Sequence, residues 1–117
     1  MTELKKQACV PCMGGALTVG PDAIELRRPL VPGWSLIEED GIRKLRQRFD
    51  FKNFKNALEF TVQVGRAAEE QAHHPTIVTE WGKVTVTWWT HKIGGLHHND
   101  FIMAARTDEI YASHTSG

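Results

Sequence analysis

Between Gly33 and Phe51 the chain reads GWSLIEEDGIRKLRQRFDF, two runs of mixed polar and apolar residues interrupted at Glu39-Asp40-Gly41. An Asp-Gly pair supplies the positive φ angles that a tight hairpin needs, so the spacing predicts two antiparallel strands joined there. In the second strand Leu45, Phe49 and Phe51 share one parity while Gln47 breaks it, which points to a bulge or an open face at that place. From Asn53 the period changes. Apolar or small residues at 54, 57, 58, 61, 62, 65 and 68 form the stripe of an amphipathic helix, with Asn53 as its N-cap. Pro75 disfavours helical geometry at His74, so this helix should end near Ala72 or His73 and the chain should leave extended. TIVTEW and KVTVTWWTH then alternate like strands connected through Gly82. Alternation on the second places Val84, Val86 and Trp88 on the core face and Lys83, Thr85, Thr87, Trp89 and His91 on the other, so His91 is expected to end the strand on its polar side. KIGGL follows as a glycine loop, and HHNDFIMAARTDEIY reads as a final helix with Phe101, Ile102 and Ala105 inward. Upstream, PDAIELRRPLV suits a short helix started by Asp22 and stopped before Pro29 and Pro32.

The order helix-strand-strand-helix-strand-strand-helix predicts an α+β domain, an antiparallel four-stranded sheet with three helices on one face. Residues 1–20, with Pro11, Gly14, Gly15 and Gly20, lack periodicity and read as a flexible N-terminal arm before a domain over 21–117. A chain of 117 residues suits one such core. Fourteen basic side chains balance fourteen acidic ones, which removes the bulk attraction that drives binding to nucleic acid or to anionic membranes and leaves only a local cluster at Arg43, Lys44, Arg46 and Arg48. No apolar run has the length of a signal-peptide core or a membrane span, so the expected location is cytoplasmic. Cys9 and Cys12 form a lone C-x-x-C with no second pair to complete a zinc site, and the reading is two reduced thiols in the arm.

Chemistry concentrates around EEQAHHPTIVTEW, residues 69–81. Glu69 and His73 stand at i and i+4 and would be neighbours on the last helical turn, near the negative end of the helix dipole, an arrangement that favours imidazolium. His74 faces another way. Taken singly, each group has an ordinary explanation: an exposed helix-end ion pair for Glu69 and His73, a solvated strand end for His91, a first-turn capping aspartate for Asp100, and core or interface filling for Trp81, Trp88 and Trp89. Two other functional classes fit parts of the pattern. His73, His74, His91 and Asp100 could build a metallohydrolase site, although adjacent histidines do not share a helical face as metal ligands from one segment usually do. Sheet edges that need covering would suit a non-enzymatic binding module.

Taken together, Glu69, His73-His74-Pro75, Trp81, His91 and Asp100 resemble the signature of the pterin-4a-carbinolamine dehydratases, with seven fixed positions matched at permitted spacings. The resemblance spans roughly residues 20–112, and TEWGKVTVTWWTHKIGGL and NDFIMAARTDE are similar to the bacterial form encoded beside phenylalanine hydroxylase. One departure is His97, where animal members tend to carry a serine that caps the last helix, and imidazole is the poorer cap.

The resemblance implies a hydro-lyase that dehydrates 4a-hydroxytetrahydropterin to quinonoid dihydropterin and water, recycling the pterin of an aromatic amino-acid hydroxylase. It implies His73 and His91 as acid and base in an order left open, and His74 as a group that binds or orients the pterin. Glu69 would set the charge of His73, Asp100 would hold His91 or the pterin edge, and Trp81 would support the substrate. Imidazoles suit both proton transfers because either protonation state is accessible at neutral pH. No metal and no cofactor are expected, the pterin being the substrate. The expected partners are the pterin, a second copy or copies in a homodimer or homotetramer, and a functional link to phenylalanine hydroxylase, with neither direct nucleic-acid nor membrane binding.

Overall fold

The computed structural model describes residues 21–115, and the predicted arm with Cys9 and Cys12 lies outside them. The order of elements is α1 (Pro21–Arg27), a 3-10 turn (Arg28–Leu30), β1 (Ser35–Glu39), β2 (Ile42–Asp50), α2 (Phe54–Glu70), β3 (Thr76–Glu80), β4 (Lys83–Trp88), a second 3-10 turn (His91–Ile93) and α3 (His98–Thr115). The strands form one antiparallel sheet in the order β1-β2-β4-β3, so the two hairpins meet through β2 and β4. This is the expected α+β architecture.

The first hairpin turns where the Asp-Gly pair predicts. Asp40 and Gly41 both have positive φ, 53° and 77°, and Glu39 pairs with Ile42 across them. α1 differs from expectation at its start: it already includes Pro21, so Asp22 lies inside the first turn instead of before it. Its end is as expected, since the α-helix stops at Arg27, before Pro29, which enters the following 3-10 turn.

Gln47 marks neither a bulge nor an open face. β2 pairs with β4 without interruption from Leu45↔Trp88 to Asp50↔Lys83, and the Gln47 amide points to the helical side, where it donates to Asp108 Oδ1 of α3 at 2.8 Å. The indole N–H of Trp34 reaches both oxygens of the same carboxylate at 3.1 Å. Burial raises the Asp108 pKa against the opposing pull of these two bonds. A polar residue on the core parity is therefore a tie between sheet and α3.

α2 starts as predicted, with Asn53 Oδ1 accepting from the Asn56 N–H at 2.9 Å. Its buried face is rotated from the expected stripe. Ala57, Phe60, Val64 and Ala68 are buried, whereas Phe54, Leu58 and Val62 remain 45%, 46% and 43% exposed. Phe60 decides the rotation, because its ring lies 5.0 Å from Phe49, 5.1 Å from Phe51 and 5.9 Å from Tyr111, an aromatic cluster that joins α2, β2 and α3. Val84, Val86 and Trp88 are fully buried against it, as alternation along β4 requires. In α3 the enclosure is deeper than a single stripe: Phe101, Ile102, Met103 and Ala104 are all buried, and Ala105 only partly. Among the described residues no helix is long and apolar enough to cross a membrane.

Candidate active site

The two adjacent histidines are separated by the way α2 ends. After Glu70 the helix is capped by Gln71, and Ala72 takes the left-handed conformation with φ 51°. The Ala72 N–H then bonds to Glu69 O at 3.2 Å and the His73 N–H to Ala68 O at 3.1 Å, the paired bonds of a Schellman end. A left-handed alanine costs roughly 1–2 kcal/mol, and the reversal it makes turns His73 inward. Pro75 keeps His74 extended, and β3 begins at Thr76.

This ending exchanges the expected partners. Glu69 does not contact His73; its Oε2 lies 3.1 Å from His74 Nε2, in an exposed pair. Asp100 does not hold His91; its Oδ1 lies 2.6 Å from His73 Nε2, with His73 8% and Asp100 0% exposed. Asp100 Oδ2 accepts two further bonds of 2.8 Å, from the Thr90 hydroxyl and from the His97 N–H. A carboxylate with three donors is well satisfied despite complete burial, and its need for a donor on Oδ1 places the proton of a neutral His73 on Nε2. The His73 ring also lies parallel to the buried indole of Trp88, at 4° and 5.7 Å between centroids. Trp88 in turn donates its indole N–H to Thr107 at 3.1 Å.

His91 does not end a strand. β4 stops at Trp88, Thr90 makes an isolated bridge to Gly95, and His91 opens the second 3-10 turn, which closes at Gly94 with φ 60°. The His91 side chain is exposed, lies against Trp89 with ring centroids 4.3 Å apart and planes tilted by 32°, and brings Nε2 within 3.3 Å of the His74 carbonyl oxygen. A carbonyl can only accept, so in this contact Nε2 carries the hydrogen.

These groups open on one cavity of about 300 Å³ lined by Ala72, His73, His74, Thr90, His91 and Lys92. Three of the predicted site residues, His73, His74 and His91, share its wall. Asp100 lies behind His73 and Glu69 beside His74. Trp81 is not brought to it. That side chain, 69% exposed, sits in the β3–β4 turn beyond Glu80↔Lys83, whereas the cavity lies past Thr76↔Thr87, roughly 15 Å away at the rise of an extended strand. A hollow of about 430 Å³ on the open sheet face is lined by Ile37, Arg46, Arg48 and Thr85 among others, and none of the signature residues lines it. Among the described residues no three His, Cys, Asp or Glu side chains converge as a metal-binding group.

The start of α3 completes the site's frame. His97 caps it despite being an imidazole: its Nδ1 accepts from the Asn99 N–H at 3.1 Å, at the second helical position, while Asp100 at the third returns a side-chain bond to the His97 N–H, the reciprocal half of a capping box. Arg27 of α1 donates through Nε to His98 Nδ1 at 3.0 Å, and burial, reinforced by the charges of Arg27 and His97, holds the His98 pKa below the ordinary histidine value. Thr90 and Lys92 were not foreseen. The same alternation that buries Trp88 extends to Thr90 and could have identified a hydroxyl facing the core, whereas Lys92 in a glycine loop carries no comparable signal.

Residues 19–110 match the sequence profile of the family described as Pterin 4 alpha carbinolamine dehydratase. A protein of Microcystis aeruginosa assigned to the pterin-4-alpha-carbinolamine dehydratases is 52% identical over 111 residues, 95% of this chain and 96% of that one. A protein of Marinobacter nauticus with the same assignment is 53% identical over 95% of this chain and all of its own length. The crystal structure of a transcriptional coactivator/pterin dehydratase from Brucella melitensis has the same fold, with a TM-score of 0.74 at 27% identity, covering 81% of this chain and 99% of that one.

Proposed function

Because the chain belongs to the pterin 4 alpha carbinolamine dehydratase family, a family of hydro-lyases, we propose that it dehydrates 4a-hydroxytetrahydropterin in the cavity between His73, His74 and His91. The product is quinonoid dihydropterin, and the reaction serves to recycle the pterin of an aromatic amino-acid hydroxylase. The C4a–O bond breaks as its oxygen takes a proton and leaves as water. The N5–H bond gives up its proton, and its electron pair forms the C4a=N5 bond. One proton is supplied and one removed, so an acid and a base suffice, with neither metal nor redox cofactor.

The observation that carries this reading is the inequality of the imidazoles. His73 is buried with Nε2 committed to Asp100, so it meets the substrate through Nδ1, whose lone pair makes it the base for N5–H. Asp100 then supports the imidazolium that forms, as the aspartate does in a Ser-His-Asp triad. His91, exposed and donating through Nε2, is the acid for the leaving hydroxyl. His74, held at the rim by Glu69, orients the pterin.

The test is the rate of quinonoid dihydropterin formation from enzymatically generated carbinolamine. His73→Ala and His91→Ala should each lower kcat at least about tenfold with an unchanged circular dichroism spectrum, since positioned proton transfer contributes ~10²- to 10⁴-fold. Wild-type activity should persist in a chelator. Activity within twofold of wild type in both alanine variants would overturn the assignment.

A further inference from the structure

We propose that Trp89 is a positioning residue for His91, a role that rests on the reading of His91 as an acid in the cavity. His73 is held by a 2.6 Å bond, by a parallel indole and by burial. His91 has far less to fix it. Its backbone is secured by the Thr90–Gly95 bridge, with N–H···O distances of 2.8 and 3.4 Å, and by the Gly94 N–H on its own carbonyl at 3.3 Å. Its side chain stands on an exposed turn with one long 3.3 Å bond to the His74 carbonyl and the Trp89 ring at 4.3 Å and 32°. Without the indole, staggered χ1 wells that point the ring into solvent would open to it, and the fraction of molecules with the acid at the cavity would fall.

Trp89 can do this because it is itself gripped. Lys44 Nζ lies 4.1 Å from the indole centroid, and the same ammonium is tied to Glu39 Oε1 at 3.1 Å, with only 13% of the lysine side chain exposed. Arg46 holds Glu39 from a second direction at 2.9 Å, and Lys44 and then Arg46 keep its carboxyl below the usual range. A chain of contacts thus runs from the open face of the sheet to the cavity, through Glu39, Lys44, Trp89 and His91.

Sequence alternation supplies the logic. Trp88 and Trp89 are adjacent, so their side chains take opposite faces: Trp88 lies against His73 in the core and Trp89 against His91 outside it. His73 and His91 thus each have an indole of their own. The outer indole lacks the inner one's burial and contributes through orientation.

The experiment compares Trp89→Leu and Trp89→Phe with wild type by kinetics and by the His91 ring-proton resonance, assigned with His91→Gln. In wild type the His91 Cε1 proton should lie upfield of an exposed histidine, because it sits against an indole face. Trp89→Leu should lose that shift and lower kcat about two- to tenfold, the range of one aromatic pair, with KM within twofold. Trp89→Phe keeps an aromatic face and should recover most of kcat. A wild-type His91 resonance at the exposed position, a leucine variant with wild-type kcat, or a phenylalanine variant no better than leucine would each overturn the proposal. An inactive wild type would sink the dehydratase reading instead, and the resonance would still decide whether Trp89 holds His91.

Discussion

Replacing Asp100 by asparagine isolates what the buried carboxylate does. The substitution preserves shape, so its effect turns on where two hydrogens point. Asp100 Oδ2 accepts from the Thr90 hydroxyl and the His97 N–H at 2.8 Å, and Oδ1 accepts from His73 Nε2 at 2.6 Å. With its oxygen toward Thr90 and His97, asparagine keeps two of these bonds and aims its NH2 at Nε2. With the amide reversed it keeps the His73 bond and lets the Thr90 hydroxyl turn to accept, but sets an N–H against the His97 N–H, which can only donate, so the first orientation is preferred. Nε2 must then accept, and the single proton of neutral His73 moves to Nδ1, the atom left for the substrate. If His73 is the base, as proposed, it loses its lone pair where it is needed. The corresponding inversion in a Ser-His-Asp triad lowers turnover by about 10⁴, and general-base catalysis as a whole contributes ~10²- to 10⁴-fold, so kcat of Asp100→Asn should fall by about 10² or more. Loss of the charge-assisted bond should also cost about 1.5–3 kcal/mol in urea unfolding. The assay is carbinolamine dehydration by stopped flow, with ¹⁵N spectra of the imidazole reporting which nitrogen is protonated. A folded variant within twofold of wild-type kcat, or a wild-type His73 protonated on Nδ1, would refute the reasoning.

Two further outcomes are expected. Glu69→Gln removes an exposed partner of His74, and exposed pairs contribute about 0–1 kcal/mol, so KM should rise by no more than about fivefold with kcat within twofold of wild type; a tenfold loss of kcat would place Glu69 in the proton transfer itself. Asp108→Asn tests the polar tie between Trp34, Gln47 and α3. A carboxyl whose pKa is raised in the native state binds more protons there than in the unfolded chain, so wild type should gain stability relative to the variant as pH falls from 7 through the raised native value toward about 3.9, the ordinary aspartate pKa. Parallel pH–stability curves, measured by urea unfolding, would contradict the raised value.

Much of the fold was legible because its decisive signals are local. Asp40-Gly41 specifies a hairpin through φ alone, Asn53 caps α2 through a bond three residues long, and Val84, Val86 and Trp88 announce their burial by alternation. The misread features depend on distant partners. Gln47 looked like a break in β2 because Asp108, 61 residues away, is what it faces. The predicted stripe on α2 holds at Ala57 and Ala68, but it also takes in Phe54, Leu58 and Val62, an exposed apolar row at helical spacing as regular as the buried row that includes Phe60 and Val64. Choosing between the rows required Phe49, Phe51 and Tyr111, the rings that receive Phe60.

The site divides along the same line. Residue types and spacing brought His73, His74 and His91 to one cavity, but pairing Glu69 with His73 assumed that the helix runs on through His73, and it stops at Glu70. Pro75 dictates that the chain be extended by His74; it does not dictate how the helix ends before that. The left-handed turn at Ala72 does, and Ala is not a residue that advertises this conformation. One dihedral therefore decides which carboxylate meets which imidazole. Had α2 continued for a turn, His73 would share an exposed face with Glu69, and Asp100 would be a buried charge short of a donor, a loss on the order of 1–3 kcal/mol. The strain at Ala72 is of comparable size and is offset by the bond it permits. What results is a set of three imidazoles in three settings: one buried against aspartate, one exposed beside glutamate, and one exposed against a tilted indole. The proposed dehydration, which must remove a proton from one atom and deliver one to another, can draw on that inequality to give the two steps to different imidazoles.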